Sequence, residues 1–105
     1  MDEETLETER REIVERLAAE PSFDNLWGAI ASFQGCVFHT AKGLEFSYVI
    51  KGGEMKVNRK EKTVTRSSVE RAYLRALKGG VTGPKKLGVF GASYLYPVFE
   101  RLGVL

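Results

Sequence analysis

The sequence is poor in the residues that usually announce chemistry. Its 105 residues hold one cysteine and one histidine. A lone Cys36 excludes an internal disulfide and leaves no thiol cluster for zinc. Beside Val37 and Phe38 it reads as a small buried hydrophobe. The strand reading around His39 sets no carboxylate or second ligand at a fixed spacing from it. It therefore reads as a half-buried strand histidine rather than a catalytic base or metal ligand. No catalytic residue, metal or cofactor is expected, and the chain does not read as an enzyme. No apolar run approaches the roughly 20 residues a membrane span needs, and the acidic start lacks the basic-then-apolar order of a secretory signal. The expectation is a cytoplasmic protein with no membrane partner. Internal repeats and low-complexity tracts are lacking as well.

What the chain does have is segregated charge. The formal net charge is only +2, but residues 1–20 carry eight acids (Asp2, Glu3, Glu4, Glu7, Glu9, Glu12, Glu15, Glu20) against three bases, a block of −5. Residues 51–86 carry eleven bases against Glu54, Glu61 and Glu70, a block of +8. A whole-chain isoelectric point hides this asymmetry. A basic half attracts a polyanion, most often nucleic acid.

The hydrophobic fraction of 43%, with six Phe, four Tyr and one Trp, is ample for one folded core, and the length suits a single domain over 1–105. Its acidic helical part is 1–34 and its basic sheet-plus-helix part 35–105. The first helix spans about 4–19, with Leu6, Ile13, Val14 and Leu17 on one stripe and the i,i+4 pairs Glu7 with Arg11 and Glu12 with Arg16 on the solvated side. Pro21 ends it. Ser22 or Asp24 caps a second helix in which Leu26, Trp27, Ile30 and Phe33 recur before Gly35.

After Gly35 the period changes from helical to alternating, most clearly in Leu44, Phe46, Tyr48 and Ile50. Gly52 and Gly53 supply a tight hairpin, and 54–58 returns with Met55 and Val57 as its apolar side. With 36–40 as a first strand, a three-stranded antiparallel meander is the economical arrangement. Ser67, followed by Glu70, fits a capping box for a helix to about Lys78, with Val69, Ala72, Tyr73, Ala76 and Leu77 inward. Arg71, Arg75 and Lys78 share its other face. An irregular stretch over 79–92 precedes a last helix capped by Ser93, with Leu95, Val98, Phe99 and Leu102 inward and Pro97 in or next to its first turn. The fold class expected is α+β: two N-terminal helices, the meander, then two helices.

Gly83-Pro84-Lys85-Lys86-Leu87-Gly88 lacks the glycine spacing and Lys-Ser/Thr ending of a nucleotide-binding loop and reads as a turn whose lysines meet phosphate as point charges. The candidate nucleic-acid-binding residues are Lys51, Lys56, Arg59, Lys60, Lys62, Arg66, Ser67, Arg71, Arg75, Lys78, Lys85 and Lys86. DNA is the partner expected, on a basic hairpin and helix face. The alternative is a protein-interaction or self-association module without catalysis, in which the acidic first helix meets the basic surface of another copy or of a partner chain.

Resemblances point the same way. Thr-Arg-Ser-Ser-Val-Glu-Arg-Ala over 65–72 resembles the start of a recognition helix in helix-turn-helix repressors, which implies Arg66, Ser67, Ser68 and Arg71 as contacting positions. Leu87, Gly88 and Val89 followed by 93–103 are similar to a recognition helix of winged-helix regulators. Both families set a helix directly before the recognition helix, where 55–64 here reads as strand and basic turn. A meander followed by a helix resembles, in topology, the sheet-reading DNA-binding domains of integrase and plant transcription-factor type, which implies Lys51, Lys56, Asn58 and Arg59 as readers. Over its full length, through 43–54 and 83–97, the chain also resembles small bacterial proteins of no assigned function.

Overall fold

The computed structural model describes residues 2–59 and 62–105. Helix α1 (Glu3–Ala19) opens on Asp2, whose carboxylate accepts the Thr5 N–H at 2.8 Å. The backbone bond, and then the Thr5 side chain, hold that carboxyl below the usual carboxylate range. Glu3 and Glu4 in the first turn suit the positive end of the helix. Helix α2 (Phe23–Ser32) is capped by Ser22, whose Oγ accepts the Asn25 N–H at 3.1 Å, as the sequence anticipates. The Asn25 side chain donates in turn to the Glu20 carbonyl at 2.7 Å, joining the two helices at their turn. Neither α1 pair, Glu7 with Arg11 nor Glu12 with Arg16, closes to ion-pair distance; the pairs within 4.0 Å among the described residues are His39 with Glu45 and Arg66 with Asp24.

The fold is α+β, and its strands regroup relative to the expectation. Strands β1 (Phe38–His39) and β2 (Glu45–Phe46) form a separate small hairpin, with Phe38 opposite Phe46. Strands β3 (Tyr48–Lys51), β4 (Glu54–Val57) and β5 (Thr63–Thr65) make the antiparallel meander in the order β3-β4-β5. The third strand is therefore 63–65, not 36–40. The expected continuous strand breaks at Ser47, whose N–H donates to Asn58 Oδ1 at 2.9 Å and whose carbonyl accepts the Asn58 N–H at 3.0 Å. A side chain thus takes a ladder position and turns the chain from one sheet to the next. The outer edge of β3 is closed by the Gly35 N–H, donating to the Tyr48 carbonyl, and by Gln34 Oε1, accepting from Ile50.

Strand β5 runs directly into α3 (Arg66–Lys78). The cap is Thr65 rather than Ser67: its Oγ1 accepts the Ser68 N–H and donates to Ser68 Oγ, both at 3.1 Å. An extended strand end already has the backbone angles a cap requires, so the last residue of β5 takes the role. Val69, Ala72, Tyr73 and Ala76 face inward, whereas Leu77 is 58% exposed. A 3₁₀ turn (Pro84–Leu87) precedes α4 (Ala92–Arg101). Its cap is Gly91 in the left-handed region rather than Ser93, and Pro97 sits in the second turn, next to the first, leaving the Ser93 carbonyl without its helical donor. Leu95, Val98, Phe99 and Leu102 are buried as expected.

The core is contiguous, drawing Leu17, Leu26 and Ile30 from the first helices, Phe46, Tyr48, Met55 and Val64 from the sheets, and Val69, Leu95 and Phe99 from the last two helices. Tyr48 donates its hydroxyl to the Ile30 carbonyl at 2.7 Å inside it. Among the described residues no helix is long and apolar enough to cross a membrane.

Candidate functional site

Amphipathic periodicity puts Arg71, Arg75 and Lys78 on the solvent side of α3 because Val69, Ala72, Tyr73 and Ala76 take the inner side. The 3₁₀ turn comes back alongside that helix. Leu87 is anchored in the core at 2% exposure, which leaves Lys85 and Lys86 outside. Gly88, at φ 66°, reverses the chain immediately after. The Arg75 Nε donates to the Lys86 carbonyl at 3.1 Å and ties the turn to the helix.

The product is a cleft of about 440 Å³ lined by Arg71, Leu74, Arg75, Lys78, Lys85, Lys86, Leu87, Gly88 and Val89. Five cations converge there, and among the described residues no carboxylate lines it. Two stretches separated by a glycine-rich connection thus build one electropositive surface, with Leu74 as its exposed apolar element. Guanidinium and ammonium groups can pair with anionic oxygen through charge-assisted hydrogen bonds.

The other candidate residues lie elsewhere. Lys51 and Lys56 are exposed on the outer face of the meander, opposite the Tyr48, Met55, Val57 and Val64 side that packs inward. Arg59 is half-buried, its Nε enclosed and without a hydrogen-bond partner among the described residues, and Asn58 is committed to Ser47. Lys60 lies outside the described residues. Lys62 stands over the exposed Phe90 ring at 5.0 Å. Phe90 shares a shallow depression with Lys85, Gly88 and Val89, so Lys62 adjoins the basic cleft by way of that ring.

Arg66 is engaged at the far end of α3. Its guanidinium lies 5.3 Å from the Phe23 ring and 5.2 Å from the Trp27 ring, with Asp24 at 3.7 Å. Ser67 is exposed and Ser68 is buried against Thr65.

Two side chains missed by sequence reasoning border the cleft region. Lys42, in the β1–β2 turn, lines a neighbouring cleft together with Lys85 and Lys86, and Tyr94 forms part of its wall. Nothing in the local pattern around Lys42 signals this, because topology alone brings the turn to the 3₁₀ segment.

His39 is exposed rather than half-buried, and it has a carboxylate opposite: Glu45, its cross-strand partner, stands 3.9 Å from Nε2. Solvent on both groups makes this a weak surface pair. Cys36 is half-buried and free. It lines a third cleft, of about 640 Å³, beside Phe33, whose ring carries the Arg10 and Arg101 guanidiniums at 5.5 and 5.2 Å. Among the described residues no three His, Cys, Asp or Glu side chains come close enough to hold a metal ion.

No protein-family model, curated protein or solved structure matches this chain.

Proposed function

We propose that this protein binds nucleic acid through the cleft between α3 and the 3₁₀ turn, in the cytoplasm and without catalysing a reaction. One observation carries the reading: among the described residues, five cations and no carboxylate line a single concave surface. Phosphates spaced along a backbone match a row of Arg and Lys side chains spread over a helix face and an adjoining turn. The neighbouring Lys62 and Lys42 extend the same sign of charge on either side. Lys51 and Lys56, on the outer sheet face, are a separate patch outside this site.

The test is fluorescence-anisotropy titration of labelled duplex and single-stranded nucleic acid across a salt series. Binding that weakens with salt at a log–log slope of about −3 to −4 fits phosphate contacts by most of the five cations. No binding at low salt ends the reading.

A second reading rests on α1 and its two capping residues, where all eight acids of residues 2–20 are solvent-exposed. In that reading the acidic helix docks on the basic cleft of another copy or of a partner chain. Sedimentation at low and high salt separates the two: salt-sensitive dimers without nucleic-acid binding favour the interaction module.

A further inference from the structure

Lys85 and Lys86 have two sides. On one side lies the basic cleft; on the other lies a cleft of about 610 Å³ between the β1–β2 turn, the 3₁₀ segment and the start of α4. Its walls are largely carbon, from Leu44, Pro84 and Tyr94, and its rim carries Lys42 together with the same Lys85 and Lys86.

Both sides of this cleft are held in place. Thr40 closes the β1–β2 turn by accepting the Leu44 N–H on Oγ1 at 3.1 Å and by donating its own N–H to the Leu44 carbonyl at 2.9 Å. Opposite, Tyr94 is packed edge-to-face with the buried Phe46, ring centroids 5.0 Å apart. A volume within the range of small-molecule sites, apolar walls and a cationic rim together call for a flat apolar group that carries negative charge beside it.

We propose that the two clefts form one site for single-stranded nucleic acid: an unpaired base sits against Tyr94 between Leu44 and Pro84, and the flanking phosphates lie on Lys42, Lys85 and Lys86. This rests on the nucleic-acid reading above and narrows its ligand. A duplex keeps its bases stacked inside and offers only edges and phosphates, which fill the basic cleft and leave the apolar one empty. An unpaired base has an exposed π-face, and aromatic side chains beside a basic groove bind it with little regard to sequence.

The test compares four labelled probes of equal length on the full chain: single-stranded DNA, single-stranded RNA, an abasic single strand with an intact phosphate backbone, and duplex DNA. The base-bearing strands, DNA or RNA, are expected to bind at least about tenfold tighter than the abasic strand, which matches them in charge. Tyr94→Ala removes the stacking surface but also the ring contact with Phe46, so Leu44→Asn at an exposed turn position carries the mutational arm. It is expected to cut the advantage of the base-bearing strands at least about threefold while leaving abasic and duplex affinities unchanged.

Equal affinity for abasic and base-bearing strands, or a preference for duplex, overturns the proposal and leaves the apolar cleft to another occupant, such as a protein side chain. Failure of every probe, abasic strand and duplex included, overturns the parent reading as well, so the two failures are distinguishable.

Discussion

The Arg75 Nε donates to the carbonyl oxygen of Lys86 at 3.1 Å, so the two halves of the basic cleft are coupled by one of its own cations. That contact leaves the terminal guanidinium nitrogens of Arg75 available to an anion while it fixes the turn bearing Lys85 and Lys86. The bond is solvent-exposed and contributes under about 1 kcal/mol to stability.

Replacing Arg71 and Arg75 together by Ala is therefore expected to leave the fold intact and to weaken nucleic-acid binding, with the salt dependence shallower by about 1.5 in log–log slope. Lys51→Ala with Lys56→Ala removes the same charge from the outer sheet face and is expected to leave both quantities nearly unchanged. Equal losses from the two pairs would place the interaction in the overall field of the protein rather than in the cleft.

Gly91 is required for two separable reasons. Its φ is 82°, and an added Cβ would come within 2.5 Å of Val64 Cγ2. Gly91→Ala is expected to destabilise by about 2 to 4 kcal/mol, combining left-handed backbone strain with overpacking. Gly103→Ala, at φ 79° with open space around it, incurs only the backbone part, about 1 kcal/mol. Urea denaturation of both variants measures the difference, and near-equal effects would mean that Val64 moves aside freely.

The Gly91–Val64 contact marks the limit of what the sequence discloses. Helical periodicity placed α1 and α2 and the exposed trio Arg71, Arg75 and Lys78, because those features depend on neighbours three or four residues away. Glycine chemistry placed the Gly52–Gly53 hairpin for the same reason. Strand β5 escaped notice because three residues show too little alternation beside a basic turn. The regrouping of strands hangs on the Ser47–Asn58 bonds, eleven residues apart. The five cations of the cleft were all legible as candidates, but their convergence was not, since only tertiary packing brings the 3₁₀ turn against α3.

The position of the α3 cap is open to a direct comparison. Thr65→Ala removes the oxygen that accepts the Ser68 N–H and is expected to cost about 1 kcal/mol. Ser67→Ala, two residues further on and exposed, is expected to stay within about 0.5 kcal/mol of the parent. Thermal or urea unfolding of the two variants decides between a cap at the end of β5 and one inside the helix.

Tyr48 links the core to alkaline stability. Burial raises its phenol above the ordinary value of 10.0, so the folded protein keeps the proton that the unfolded chain releases near that pH. The stabilisation is fully present below about pH 10 and declines as pH rises above it toward the folded value. Tyr48→Phe loses the bond to the Ile30 carbonyl, which retains the Phe33 N–H at 3.2 Å, and is expected to cost about 1 kcal/mol at neutral pH. Above about pH 10 the gap between parent and variant is expected to narrow, because only the parent can lose this proton on unfolding. A constant gap through pH 11 would show that Tyr48 titrates alike in both states.

Arg66 tests whether the start of α3 takes part in binding. Its guanidinium is held over Phe23 and Trp27, and Trp27 is the chain's sole tryptophan, so the contact has its own optical reporter. Arg66→Ala is expected to shift Trp27 emission to the red, to cost about 0.5 to 1 kcal/mol, and to weaken nucleic-acid binding less than Arg71→Ala does. A group stacked on two rings must leave them to reach a phosphate, which offsets part of what the new contact contributes. Addition of nucleic acid to the parent should therefore leave Trp27 emission unchanged. If it instead reproduces the red shift of Arg66→Ala, the arginine leaves the rings on binding, and the interface extends from the cleft to the first turn of α3.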